Sequence, residues 1–130
     1  MKDSRRFYKE LANLFYAIAA ADSNIRKEEK EKLQDDIRFA WKHYDTDTDR
    51  FGSDRAWLIE FEFETLEENI AGAAEAWEMF EAYFNETEKG IDHHTRVRIF
   101  NSARHIAEAV RKINEEELEY MVKLKKLLGV

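Results

Sequence analysis

The sequence predicts an all-α fold, a compact bundle of six to seven helices, and three observations carry that prediction. Pro is absent and Gly occurs only four times, so Glu, Lys, Ala and Leu run on with few helix breakers. Apolar side chains recur at spacings of three and four along most of the chain. Hydrophobic residues make up 44% and aromatics 13%, enough to fill a core and too much for a disordered chain. At 130 residues the length suits one domain, 1–130.

Phe7, Leu11, Leu14, Phe15 and Ile18 form one stripe on a first helix, expected from about Ser4 to Ala21 and broken by Asp22-Ser23-Asn24. A second helix is expected near Ile25, capped by Asn24 or Ser23, with Glu28 and Glu29 in its first turn. Its stripe is Leu33, Ile37, Ala40, Trp41 and Tyr44. So short a turn makes the two helices neighbours in an αα-hairpin.

Residues 45–54 read as an acidic loop, with Asp54 a candidate cap for the next helix. Ile59 to Glu64 alternates with strand period, yet a lone strand has no partner in the chain. Helix is therefore expected there, with Phe63 on a partly exposed face; the competing reading is a strand paired across a dimer. Leu66, Ile70, Ala73, Trp77, Phe80 and Phe84 follow a seven-residue repeat that predicts a helix to about Asn85, stopped by Lys89-Gly90. Asp92 caps a helix with the stripe Ile99, Phe100, Ala103, Ile106, Ala107 and Val110. Asn114, with Glu117 three residues on, starts a last helix through Leu118, Met121, Val122 and Leu128.

Shifting the chain by 88 places Ile106, Ala107, Ala109, Ile113, Glu116, Glu117 and Met121 on Ile18, Ala19, Ala21, Ile25, Glu28, Glu29 and Leu33. The chain thus carries two helix-turn-helix units of like grammar around a middle segment. The first unit, Ala20-Ala21-Asp22-Ser23-Asn24-Ile25-Arg26-Lys27-Glu28-Glu29, resembles the TerB-like domain family, the tellurite-resistance proteins and a related domain of a membrane-anchored DnaJ-type co-chaperone. The family's signature is an Ala-rich helix ending in Ala-Asp, a tight turn, an aliphatic residue and a Glu four residues later. Ser23 stands where the family prefers Gly, so either the turn differs or Asn24 takes the left-handed conformation. The second unit departs further, with Val110 in place of Asp. The resemblance implies about seven helices, a cytoplasmic location and a role in stress response or docking beside a membrane. It implies no enzyme.

Charge is uneven. Residues 45–92 hold fifteen acids against three bases, while the flanks together are mildly basic; the whole chain is −7. That disfavours nucleic acid as a partner, which requires a clustered cationic face. A basic or membrane-associated protein partner suits the middle better, with Glu60, Glu64, Glu67 and Glu68 as contact candidates. The apolar run 14–21 is far short of the ~20 residues that span a bilayer, and the charged start, Met1 to Arg6, is no secretory signal.

Asp22 and Glu29 bracket the first turn, where capping is the expected role and sharing a cation the alternative. Asp45, Asp47 and Asp49, with Asp54 nearby, imitate the opening of a calcium loop, but Arg50 sits where Gly belongs and Ala56 where the bidentate Glu belongs. A weak divalent-cation site is the alternative function; otherwise no cofactor is expected. No Glu lies three residues before a His, so the helical di-iron pattern is missing, and His93 and His94 read as ordinary residues of a helix start. With no Cys and four isolated Gly, thiol chemistry and phosphate loops are unsupported, and no catalytic residues are assigned. Trp41, Trp57, Trp77, Phe61, Phe80 and Phe84 read as core rather than a ligand pocket. The expectation is a non-enzymatic interaction or stress-response module with an acidic contact surface.

Overall fold

The computed structural model describes residues 4–41, 56–109 and 113–130, and among them every regular element is helical. The order is α1 (Ser4–Ala19), α2 (Lys27–Asp36), a π-helical turn (Ile37–Trp41), α3 (Trp57–Glu68), α4 (Ala73–Thr87), a 3₁₀ turn (Glu88–Gly90), α5 (His93–Ala107) and α6 (Glu115–Leu128). The predicted helical bundle is what the chain forms. No described helix is long and apolar enough to cross a membrane.

α1 is the axle. The predicted stripe is buried, but so is nearly everything else from Phe7 onward, because α3, α4, α5 and α6 all pack on this one helix. A helix apolar almost all round belongs in the middle of a bundle rather than on its surface. Its two buried polar side chains satisfy one another, Asn13 Nδ2 donating to Glu10 Oε1 at 2.9 Å, and Tyr16 donates its hydroxyl to the Ala71 carbonyl at 2.7 Å.

The expected caps of α2 shift by two to three residues. Asp22 Oδ1 accepts from the Asn24 amide at 3.0 Å, which spends this segment on a turn, and the helix begins after Arg26. Ser23 itself takes the left-handed conformation, φ 65°, so the strain expected at Asn24 sits one residue earlier. Leu33, Ile37 and Trp41 are buried as predicted, Trp41 through a π-helical turn that lets its Nε1 reach Ser102 Oγ at 2.9 Å. Tyr44, Val110 and the whole acidic loop lie outside the described residues.

α3 is a helix, as expected, but with its two phenylalanines exchanged: Phe63 is buried and Phe61 is exposed. Phe63 lies four residues after Ile59, itself buried, and three before Leu66, which packs on the core, whereas Phe61 points the other way. The seven-residue repeat does not run through one helix. α3 stops at Glu68, Ile70 adopts φ 52°, and the Ile70 and Ala71 amides close on the Glu67 and Leu66 carbonyls at 3.1 and 3.0 Å. This is a Schellman ending, and it throws Ile70 out to 87% exposure while Ala73 opens α4. Asp92 caps α5 as predicted, accepting from the Thr95 amide at 2.8 Å. In α6 the buried face is Met121, Leu124 and Leu128, and the predicted Leu118 and Val122 are exposed.

Candidate interaction site

The four acidic candidates converge. Glu60, Glu64, Glu67 and Glu68 all line one groove of about 220 Å³ between α2 and α3, floored by Leu33 and Phe63. Spacings of three and four bring them to one side of α3, and α2 supplies the opposite wall. Two contacts tie the walls together: Lys30 Nζ meets Glu67 Oε1 at 2.7 Å, and Gln34 Nε2 donates to Glu60 Oε1 at 3.1 Å. Glu64 and Glu68 are exposed on the outer lip. The groove is smaller than the several hundred Å³ usual for small-molecule sites, and suits inserted side chains better than an enclosed ligand.

Beside the groove, on the outer face of the same helix, Trp57 and Phe61 stand 61% and 64% exposed, four residues apart. The core reading therefore holds for Trp41, Trp77, Phe80 and Phe84 and fails for these two. Large exposed aromatics framed by carboxylates are unusual on a free surface and typical of binding faces. Periodicity could have found them: Trp57 and Phe61 fall opposite Ile59 and Phe63 on a helical wheel.

The turn motif forms a second polar centre at the seam between the two helix-turn units. The cation that Asp22 and Glu29 share is the Arg26 guanidinium, 2.9 Å from Asp22 Oδ2 and 3.9 Å from Glu29 Oε1. Glu29 Oε1 also accepts from the Arg26 amide at 2.8 Å, so it caps its own helix start. Across the seam Asn114 Oδ1 accepts from the Glu117 amide at 2.8 Å, and Asn114 Nδ2 donates to Asp22 Oδ2 at 2.8 Å. The residues that an 88-residue shift superimposes, Glu29 and Glu117, thus meet in space. Burial pushes the Glu29 carboxyl up to about 8, and Glu117, in hydrogen-bond contact with it, is raised too by its own burial.

A second, more open depression of about 450 Å³ lies between α2 and the end of α5, rimmed by Glu28, Glu31, Asp35 and Glu108. His105 reaches it, its Nδ1 3.1 Å from Asp36 Oδ2. His93 and His94 are exposed at the start of α5 with ring centroids 6.4 Å apart. Among the described residues no group of three or more His, Asp or Glu is arranged to hold a metal ion. Asp45, Asp47, Asp49 and Asp54 fall outside the described residues; within them, the groove on α3 and the seam are the constellations that bring predicted site residues together. No protein-family model, curated protein or solved structure matches the chain.

Proposed function

We propose that this chain is a non-enzymatic interaction module whose α3 face docks a basic, amphipathic helix of a partner protein. The observation that carries the reading is one helix presenting Trp57 and Phe61 beside a groove lined by Glu60, Glu64, Glu67 and Glu68. Apolar side chains of the incoming helix cover the two aromatics, and its Lys and Arg residues reach the carboxylates of the groove beside them. Charge complementarity selects this occupant over an anionic lipid surface or nucleic acid, both of which the acids repel.

The likeness to TerB-like domains, on this reading, is supported by two features of the turn. Ser23, at the family's glycine position, has the left-handed φ that glycine would supply. The Glu that closes the signature, Glu29, caps the second helix. A stress-related docking role in the cytoplasm is the setting that this likeness proposes.

A designed helical peptide with Leu at helical spacing and Lys on the opposite face tests the proposal by fluorescence titration. Binding should weaken at least tenfold when Glu60, Glu64, Glu67 and Glu68 are all changed to Gln, and again when Trp57 and Phe61 become Ala. Equal binding of an acidic peptide of the same apolar pattern, or no loss in either variant, would overturn it.

A further inference from the structure

The seam between the two helix-turn units holds two acids that the contact face does not use. Glu29 and Glu117 are each 0% exposed, one at the start of α2 and the other at the start of α6. Each spends one oxygen on its own helix start: Glu29 Oε1 accepts from the Arg26 amide at 2.8 Å and Glu117 Oε1 from the Asn114 amide at 3.3 Å. The second oxygen of each, Glu29 Oε2 and Glu117 Oε2, is enclosed and receives no N–H or O–H from the rest of the described residues. The two carboxyls lie in hydrogen-bond contact with one another. Two ionised carboxylates cannot remain so placed, because each loses its hydration and repels the other. One proton between them answers both: the protonated acid donates and the ionised one accepts.

The charged groups facing the pair are Asp22, from the turn after α1, and Arg26, at the head of α2. Arg26 meets Asp22 through Nη2 at 2.9 Å, while its enclosed Nη1, 3.9 Å from Glu29 Oε1, faces the pair without donating to it, and Asp22 adds a further negative charge near Glu117. Asn114 contributes a neutral amide, already bonded to Asp22. α6 packs through Met121, Leu124 and Leu128 against α5 and α1, with Leu118 and Val122 facing outward.

We propose that Glu29 and Glu117 hold a single proton between them at neutral pH as a latch on the seam, and that losing it lifts the start of α6 away from α2. The folded chain binds a proton here that the unfolded chain releases above the ordinary carboxyl value of 4.5, so stability falls as pH rises from there to about 8 and then levels off. Glu29→Gln copies the protonated acid: its amide donates to Glu117 at every pH and its carbonyl still accepts from Arg26.

The test is carboxyl-carbon and amide NMR titration of the whole chain from pH 5 to 9.5, with urea unfolding at the same pH values. The latch predicts one carboxyl transition near pH 8 and movement of the α6 amide resonances over the same range. It also predicts a folding constant that falls up to about tenfold per pH unit below that transition. Glu29→Gln should abolish all three effects, and Glu117→Gln, which donates to Glu29 in the reverse sense, should do the same. Absence of any carboxyl titrating above pH 6.5 would overturn the proposal. So would α6 resonances that stay still while the carboxyl titrates, or a transition displaced by millimolar calcium, which would make a metal ion the ligand.

Discussion

Ile70 shows how far a single side chain can be at odds with its backbone. A β-branched residue at φ 52° is crowded against its own carbonyl, and at 87% exposure Ile70 gains no burial in return. The Schellman closure between α3 and α4 wants Gly or Asn at this position. Ile70→Gly should therefore stabilise the chain by roughly 1 kcal/mol in urea unfolding, despite the greater freedom it gives the unfolded state. Ser23, at φ 65°, has the same conformation with less bulk, and a smaller gain is expected from Ser23→Gly. Trp77 is the opposite case, 5% exposed and in ring contact with Phe80 and Tyr120. Trp77→Ala should cost on the order of 3–5 kcal/mol, and a loss below about 1 kcal/mol would mean that the α4 to α6 contact carries little of the fold.

At the scale of the element, helix starts are easier to read than helix faces. Asp92 and Asn114 are legible because a cap needs only its own side chain and an amide two or three residues on. The hydrogen bond from the Thr95 amide holds the Asp92 carboxyl below its usual 3.8, so its contribution is full above that value and fades as pH falls through the lower folded one. Asp92→Ala should cost about 0.5–2 kcal/mol at pH 7, a difference that shrinks in acid, as thermal unfolding at several pH values will show. Faces are harder. The alternation at 59–64 hides which phenylalanine turns inward, and the seven-residue repeat runs on through a chain reversal. Ile70 keeps the spacing although it lies on the turn, because periodicity registers sequence distance and cannot register the Leu66 and Glu67 carbonyls that end α3. The four glutamates of the groove are legible as charge; that α2 walls them in is not, since it depends on a contact some thirty residues away.

Across the whole molecule, internal repetition foretells more than either unit does alone. An offset of 88 residues puts Glu29 and Glu117 in register on paper, and the fold puts them carboxyl to carboxyl. What the repeat cannot convey is burial, because α1, which shows a single apolar stripe in the sequence, is enclosed by four others. The acidic side of α3 should be separable from this framework. The quadruple Gln variant at 60, 64, 67 and 68 should unfold within about 1 kcal/mol of the parent, since exposed charges and the Lys30 and Gln34 contacts contribute little.

The enclosure of α1 bears on the order in which this chain can acquire its structure. α1 leaves the ribosome before any helix that surrounds it, and α4 is complete only at Thr87. At a synthesis rate of about 5–20 residues per second, its apolar circumference waits roughly 3 to 14 seconds for α4. During that interval the nascent chain displays part of the face made by Phe7, Leu11, Leu14, Phe15 and Ile18, since of the helices that enclose it only α3 has followed. Ribosome-associated chaperones that grip short aromatic and aliphatic stretches should crosslink to this segment and release it once α4 has emerged. Stalling synthesis on either side of that point, with a photoreactive group at Leu14, measures the hand-over directly.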